Sequence, residues 1–330
     1  MLYSMHMEKQ TIVSGIRASG SLHVGNYLGA LKQFVELQNQ GHHCYFFIAD
    51  LHGLTTPFEP KKLSKDTLDV AATYLAAGID PKKSVFFLQN HILEHATLAW
   101  IFNCLLPLSE LERMTQYKDK AKQHKENINA GLLTYPALMA ADILMYKPTA
   151  VPVGEDQVQH VELARVVARK FNHKFGKTFP EPHTFLRKPL RIMSLSDPAK
   201  KMSKTGDEAL LLDDEPKEIS RKLKKAVTAS ESGKASAGVE NLFLLLEHFG
   251  KQEQIAYFRD AQRNNSLKFS ELKETLAKEV AGYFAEFRAQ KKALLEQPEY
   301  LAEILGEGAR KARTVAQSTL QEIKHRIGLL

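Results

Sequence analysis

β-type runs of strand length recur along the first half of the chain, separated by segments with helical periodicity. These runs are Thr11–Ser14, Cys44–Ala49, Val85–Leu88 and Ala150–Val153. Short, nearly continuous apolar runs are typical of strands that are covered on both faces, as in a parallel sheet. Pro152 suits the end of such a strand better than its centre, because proline cannot donate to a ladder.

Helical patterns lie between and after these runs. They predict a helix from Gly25, a second from about Lys61 to Gly78, and a third over Asp156–Lys170. Gly78 is a suitable residue to follow a helix end, since glycine adopts the left-handed conformation freely. The alternation of strand and helix predicts an α/β fold, a doubly wound parallel sheet of the Rossmann type. In such sheets ligands bind at the carboxyl ends of the strands, at a topological switch.

The pattern changes near Leu190. The pattern over Arg191–Asp213 predicts a loop with a lysine cluster, and from Glu215 onward the pattern is helical. We therefore expect two domains, a catalytic domain over residues 1–194 and a smaller all-helical domain over residues 195–330 that also carries the lysine-rich loop.

Charge and cysteine content narrow the classes of protein. The chain has 45 Lys+Arg and 38 Asp+Glu, a net charge of +7, and residues 221–330 hold +5 of it, with 19 basic and 14 acidic residues. This surplus permits an RNA partner, although a solvated helical surface explains it equally simply.

The cysteines and the apolar runs indicate the compartment. Cys44 and Cys104, both in apolar stretches, indicate a reducing cytoplasm. We expect no membrane span because no apolar run reaches about 18 residues.

A glycine-rich turn follows the first strand, in the segment Ser14–Asn26. Its three glycines let the backbone approach a phosphate, and His23, Asn26 and Ser19 add side-chain donors. The spacing fits neither the dinucleotide fingerprint nor the P-loop. Alone, such a turn is more often only a tight turn.

A lysine-rich loop over Lys200–Gly206 is the second segment suited to phosphate chemistry. Ammonium groups on a loop can hold a triphosphate and neutralise charge as pyrophosphate leaves. Alone, a loop of this kind is usually a solvated surface.

Together the two segments resemble the two signatures of class I aminoacyl-tRNA synthetases. His23-Val24-Gly25-Asn26 is similar to the HIGH signature, and Lys201–Thr205 is similar to the KMSKS loop, with threonine at the last position. Between them, Leu111–Lys118, Gly131–Tyr146, Val151–Gln157 and Arg191–Leu195 are similar to the tryptophanyl family within that class.

The resemblance implies which residues act. It implies that His23, Lys201 and Lys204 stabilise charge in catalysis. It implies that ATP is contacted by Arg17, Ala18, Ser19, Gly25, Asn26, Gly154, Glu155, Asp156, Ile192, Lys201, Met202, Ser203, Lys204 and Thr205. It implies that tryptophan is bound by Asp142, Met139, Gln157, Tyr135 and His52. Relatives often have Gln where this chain has Arg17.

Asp142 carries the physical argument for tryptophan. It lies in an apolar helical stretch, where a carboxylate is costly to bury unless something donates to it. An indole N–H only donates and an ionised carboxylate only accepts, so the two are complementary. Met139, three residues earlier on the same face, is placed to pack on the ring. We expect that a smaller amino acid would leave Asp142 unpaired and so be rejected.

The implied reaction is the activation of L-tryptophan with ATP, followed by transfer to tRNA(Trp), whose anticodon region is implied to bind the C-terminal helices. The cofactor is ATP with the Mg²⁺ that it carries, and the resemblance implies a homodimer. We expect no protein-held metal, because His91 and His95 have helical spacing without a third ligand and fit a solvent-exposed helix face. Three alternatives stay open: a tyrosyl synthetase, a nucleotidylyl transferase of the HIGH type that ignores tRNA, and a non-catalytic RNA-binding relative.

Overall fold

The structure of the chain is a computed structural model that describes residues 9–18, 20–123, 128–185, 191–203, 209–228 and 237–329. The chain divides into two compact units. The sheet unit comprises Met1–Gly20, Lys32–Pro189 and Gln297–Leu330. The helical unit comprises Ser21–Leu31 and Leu190–Glu296.

A five-stranded sheet forms the centre of the sheet unit. Its strands are β1 Thr11–Arg17, β2 His43–Ala49, β3 Ser84–Leu88, β4 Ala150–Pro152 and β5 His183–Phe185. All neighbouring pairs are parallel, in the order β3-β2-β1-β4-β5. The predicted doubly wound parallel sheet is confirmed.

The predicted strands are present with two differences. β1 continues to Arg17, beyond the predicted stop at Gly15. Gly15 lies inside the strand, opposite Phe47 of β2, and the position needs glycine because a Cβ there would lie 2.7 Å from the Phe47 ring. β5 was not predicted, since it has only three residues and carries no apolar run.

The described residues form fourteen α-helices: α1 Val24–Asn26, α2 Lys32–Asn39, α3 Pro60–Ala76, α4 Glu94–Asn103, α5 Leu108–Glu112, α6 Thr115–Gln123, α7 Ala130–Leu144, α8 Val158–Phe175, α9 Pro216–Lys225, α10 Ala237–Phe249, α11 Gln252–Arg263, α12 Phe269–Tyr283, α13 Ala285–Leu295 and α14 Pro298–Ile327. Tyr27–Leu31 forms a π turn between α1 and α2. Gly78 follows α3 with a φ of +107°, as its position at the helix end predicts. Within the described ranges, no helix is both long enough and apolar enough to span a bilayer.

The last helix, α14, belongs to the sheet unit. Small residues on one face let it approach β3, and a Cβ on Gly308 would lie 1.7 Å from the carbonyl oxygen of Phe86. The predicted helical domain 195–330 includes this segment, and the predicted domain 1–194 includes Ser21–Leu31. That division into domains stays a prediction. The compact units are defined by which segments pack together, and so they combine segments that are distant in sequence. A pattern of apolar positions predicts a buried helix face but not the surface that covers it.

Candidate functional site

The carboxyl ends of β1 and β4 form the topological switch of the sheet. The chain moves from β1 to β2 and β3 on one side and from β4 to β5 on the other. Arg17 and Ala18 come at the end of β1, and the segment from Gly154 to Gln157 follows β4. The predicted nucleotide-contacting residues of both segments therefore lie where ligands bind in sheets of this type.

Asp142 lies on α7 and is 1% exposed. Three side chains donate to its carboxylate. His52 Nε2 lies 2.8 Å from Oδ2, His95 Nδ1 lies 2.6 Å from Oδ1, and Gln89 Nε2 lies 2.8 Å from both oxygens. The buried carboxylate is thus satisfied by neutral or titratable donors from three other segments of the sheet unit.

These donors keep Asp142 ionised. Burial acts to raise the pKa of Asp142, but the hydrogen bonds from His52 and His95 outweigh it and lower the pKa to about 2. Because a carboxylate only accepts, His95 Nδ1 donates to it, and the other ring nitrogen, Nε2, forms a hydrogen bond of 2.7 Å with the Tyr146 hydroxyl. Burial, with Asp142 adding to it, raises the pKa of Tyr146 well above its usual value, so that its proton stays in place.

Two expectations about this region are wrong. His95 does not lie on a solvent-exposed helix face, since it is fully buried and bonded to Asp142. Its signal was present in the sequence as one imidazole among the apolar residues of α4. A smaller amino acid would also not leave Asp142 unpaired, because His52, His95 and Gln89 donate to it without any ligand.

Arg17, Tyr135 and Asp156, three predicted site residues, share an electrostatic environment with Lys120. The Nη2 of Arg17 donates to the carbonyl of His52 at 3.2 Å, and burial lowers the pKa of Arg17. Lys120 Nζ lies 4.7 Å from the centroid of the Tyr135 ring. Burial and the charge of Arg17 lower the pKa of Lys120 to about 8, while Asp156 acts in the opposite direction. Two cations crowded together in this way favour an anionic ligand.

Sequence reasoning missed Lys120, which lies two residues beyond the motif that ends at Lys118. It also missed His160. The Tyr135 hydroxyl lies 2.8 Å from His160 Nε2. Burial, with Lys120 and His52 adding to it, lowers the pKa of His160 to about 4. A neutral imidazole therefore fixes the Tyr135 hydroxyl at neutral pH.

The other predicted residues of the sheet unit have less defined surroundings. Met139 is half-buried and packs against the apolar core. Glu155, Asp156 and Gln157 form a 3₁₀ turn in which Gln157 Nε2 donates to Asp156 Oδ2 at 2.7 Å. Ala18 is buried.

In the helical unit, His23 caps α1. Its Nδ1 accepts from the backbone N–H of Gly25 at 3.1 Å, and its own N–H donates to Asn26 Oδ1 at 3.1 Å. A Cβ on Gly25 would lie 2.9 Å from the His23 ring, so this arrangement needs glycine. Because Nδ1 accepts, the neutral ring carries its proton on Nε2, which is a donor for an anion.

The lysine-rich loop approaches this turn through Ile192. A Cβ on Gly25 would lie 3.6 Å from the Cβ of Ile192. The Ile192 carbonyl accepts from Met202 N–H at 3.0 Å, and Met193 pairs with Lys201 in an antiparallel bridge. Arg191–Ser203 is therefore a hairpin, here named the lysine hairpin, in which Lys201 lies on the strand opposite Ile192 and Met193.

The chain after the loop pairs with the same turn from another side. His23 and Leu211 form an antiparallel bridge, with Val24 N–H donating to Leu210 O at 2.9 Å and Leu212 N–H donating to Leu22 O at 3.0 Å. The helical unit therefore contains His23, Gly25 and Asn26 in the turn and Ile192, Lys201, Met202 and Ser203 in the hairpin, with Gly25 and Ile192 adjacent. Ser19, Lys204 and Thr205 lie outside the described residues.

Comparison with known proteins identifies the class. The sequence model described as tRNA synthetases class I (W and Y) matches residues 5–299. The chain belongs to this family of class I tRNA synthetases.

Full-length relatives narrow the assignment. The tryptophan–tRNA ligase of Caldanaerobacter subterraneus subsp. tengcongensis is 44% identical over 97% of this chain and 98% of the relative. That of Clostridium tetani is 41% identical over 99% of this chain and 98% of the relative. The crystal structure of the tryptophanyl-tRNA synthetase of Campylobacter jejuni complexed with ADP and tryptophan has a TM-score of 0.85 and 35% identity, and the match covers 97% of this chain and all of that one. The predicted enzyme class, a tryptophan–tRNA ligase, is confirmed.

Proposed function

We propose that the residues described above activate L-tryptophan with ATP and transfer it to tRNA(Trp). The observation that carries this proposal is the proximity of the His23 turn and the lysine hairpin in the helical unit, where Ile192 of the hairpin lies beside Gly25 of the turn. Two segments suited to phosphate chemistry, far apart in sequence, thus share one unit.

In the first step, the tryptophan carboxylate attacks the α-phosphorus of ATP in line. A bond forms between the carboxylate oxygen and phosphorus, and the bond to the bridging oxygen breaks and leaves its electron pair on pyrophosphate. His23 Nε2–H, the Lys201 ammonium and Lys204 would stabilise the charge that develops on the phosphates. Gly25 and Asn26 shape the turn, and the hairpin residues Ile192, Met202 and Ser203 would contact the nucleotide.

The switch-point residues would hold the rest of the nucleotide and the amino acid. The segment from Gly154 to Asp156 would contact the ribose, while Arg17 and Lys120 form a cationic wall suited to a phosphate or carboxylate. Ala18, Ser19 and Thr205 stay predictions of ATP contact from the resemblance.

Magnesium is proposed to arrive with ATP. Within the described part of the chain, no group of three or more His, Cys, Asp or Glu side chains could hold a metal ion. The nucleotide phosphates are therefore the donors that would hold Mg²⁺, which would screen their charge.

Tryptophan would be recognised through Asp142. Its two oxygens take four contacts from His52, His95 and Gln89, so the indole N–H would replace one of the two contacts that Gln89 makes. His52 and Tyr135, whose rings lie edge to face with centroids 6.0 Å apart, are proposed to line the same pocket. Met139 would pack on the indole, and Gln157 would bind the ammonium group.

In the second step, a hydroxyl of the terminal ribose of tRNA attacks the carbonyl carbon of the adenylate. The acyl–phosphate bond breaks, AMP leaves with the electron pair, and the hydroxyl proton passes to the departing phosphate oxygen. No side chain need form a covalent intermediate. The tRNA anticodon region is proposed to bind the C-terminal helices.

The active form is proposed to be a homodimer. Trp100 on α4 is 71% exposed, and Leu93 at the start of the same helix is 74% exposed. Trp100 also lines an apolar cavity of about 330 Å³ together with Leu54 and Leu138. An exposed aromatic anchor beside an apolar cavity suits a self-complementary interface with a second copy of this chain.

The proposed compartment is the cytoplasm. Cys44 and Cys104 are free thiols, which suits a reducing environment.

Aminoacylation of tRNA tests this function against its alternatives. The protein, ATP, Mg²⁺ and labelled tryptophan are incubated with a tRNA(Trp) transcript, and acid-stable label on the RNA is counted. We expect label on the tRNA with tryptophan but not with tyrosine. Adenylate formation without transfer would favour the nucleotidylyl transferase, and tyrosine transfer would favour the tyrosyl enzyme.

A further inference from the structure

The lysine hairpin has one edge whose backbone groups point away from the hairpin. Met193 and Lys201 form the antiparallel bridge, and its two hydrogen bonds run between their neighbours, from Ser194 N–H to Lys200 O at 2.9 Å and from Met202 N–H to Ile192 O at 3.0 Å. In a pair of this kind the N–H and C=O of Met193 itself face outward. They need partners outside the hairpin.

Asn241 on α10 supplies both partners. Its Oδ1 accepts from the Met193 N–H at 2.9 Å, and its Nδ2 donates to the Met193 carbonyl at 2.9 Å. One carboxamide thus replaces a third strand along this edge. Two residues on, Leu195 O accepts from the Val227 N–H at 2.8 Å, so the same edge is held a second time.

The position of Asn241 is closely fixed. Its side chain belongs to a residue that is only 4% exposed. Near the start of the same helix, a Cβ on Gly238 would lie 1.9 Å from the Val227 carbonyl oxygen and 3.2 Å from Pro198 Cγ. The start of α10 therefore sits directly against the hairpin, and Asn241 follows on the next turn.

We propose that Asn241 is a positioning residue for Lys201: its carboxamide holds the Met193 edge of the hairpin so that the opposite strand presents Lys201 to the triphosphate. This inference rests on the proposed function. Asn241 does not touch substrate. Removing its carboxamide takes away the partners that it gives to two backbone groups of the hairpin.

The test is the kinetics of tryptophan-dependent ATP–pyrophosphate exchange for the full chain and its Asn241→Ala variant. We expect kcat/KM for ATP to fall by about tenfold or more, while the KM for tryptophan stays within about twofold. Asn241→Asp is the second variant. It keeps an acceptor for the Met193 N–H and places an anion against the Met193 carbonyl, so the loss for ATP should be similar or larger.

Asn172→Ala is the matched control. In the sheet unit Asn172 accepts from Thr178 N–H at 2.8 Å and Phe179 N–H at 3.0 Å and donates to Phe179 O at 2.7 Å, the same kind of contact remote from Lys201 in sequence. It should lower thermal stability and leave kcat/KM for ATP within about twofold. An equal loss for ATP in this control would overturn the inference, because general destabilisation would then explain both variants.

A double-mutant cycle separates positioning from a structural role. If Asn241 acts through Lys201, Asn241→Ala should have little further effect on kcat/KM for ATP in a Lys201→Ala background. Additive losses, or wild-type kinetics in the Asn241 variants, overturn the inference. Absence of tryptophan-dependent exchange in the wild-type chain would be a different failure, since it removes the proposed function and the inference with it.

Discussion

His95 Nδ1 and Asp142 Oδ1 lie 2.6 Å apart, in a pair whose side chains are at most 1% exposed. The other nitrogen of His95 is held by the Tyr146 hydroxyl. The imidazole therefore cannot rotate without losing two hydrogen bonds. Because its position is fixed, its bond to Oδ1 also fixes the orientation of the Asp142 carboxylate.

Replacing His95 with alanine should weaken tryptophan recognition. Asp142 loses one donor and its fixed orientation, so the KM for tryptophan in exchange should rise by about tenfold or more while the KM for ATP changes little. His95→Gln, which keeps an N–H donor, should recover part of the loss.

His42→Ala provides the control, because His42 is another buried histidine of the sheet unit and accepts one backbone hydrogen bond, from Gln10. A comparable rise of the tryptophan KM in this control would show that loss of packing, not of the Asp142 contact, causes the effect.

Lys120 should give ATP use a pH dependence. Its pKa of about 8 means that it is charged below that pH and loses its charge as the pH rises through it. The KM for ATP in exchange should therefore rise above about pH 8, and Lys120→Arg should remove this rise because arginine stays protonated. Lys120→Met should show the high KM throughout.

Lys118→Met on the same helix is the matched variant, since Lys118 is exposed. If it changes the KM for ATP as Lys120→Met does, or if Lys120→Arg keeps the alkaline limb, the cationic wall is not a ligand site.

His160 should make the fold less stable in mild acid. The unfolded chain protonates this histidine near pH 6.5, whereas the folded chain does so only near pH 4. Above about pH 6.5 His160 is neutral in both states and has no effect on the free energy of unfolding. As the pH falls from there towards 4, protonation of the unfolded chain lowers the free energy of unfolding progressively, by about 3 kcal/mol at most. In the His160→Gln variant, the midpoint of urea unfolding should depend less on pH across this range.

The exposed His173→Gln variant should keep the wild-type slope. An unchanged slope in His160→Gln would show that folding does not lower the pKa of His160.

Trp100 should hold the proposed dimer together. Trp100→Glu places a charge on the apolar face, and sedimentation should then show monomers at concentrations where the wild type is a dimer. Trp100 is the one tryptophan of the sequence, so dilution of the wild type should shift its fluorescence to longer wavelength as dimers separate. Tyr257→Glu, a charge at another exposed aromatic residue, should leave the assembly unchanged. A monomeric wild type would contradict the assignment of this face.

The sequence predicted the sheet well because its central strands are buried on both faces. Such strands appear as local runs, and the run Cys44–Ala49 lies within β2 as observed. β5 was missed because its three residues, His183–Phe185, are less deeply buried. The placement of α14 on β3 was also missed, since the contact at Gly308 joins segments far apart in the chain.

The candidate site was predicted where its residues form a compact motif. His23, Gly25 and Asn26 cap one turn and lie within four residues. Gln89 and Lys120 act through partners on other segments and carry no local pattern, whereas His95 is marked only as one imidazole among the apolar residues of α4. Asn241 is of the same kind, because one amide in an apolar helix carries no sign of the strand edge that it pairs with.

The activation of tryptophan is tested most directly by ATP–pyrophosphate exchange with tryptophan and with tyrosine, measured for the wild type and for Asp142→Ala. We predict that tryptophan alone supports exchange in the wild type and that the variant loses this discrimination through a higher tryptophan KM, with little change in the KM for ATP. Exchange that tyrosine supports equally, or an unchanged tryptophan KM in the variant, would contradict the account.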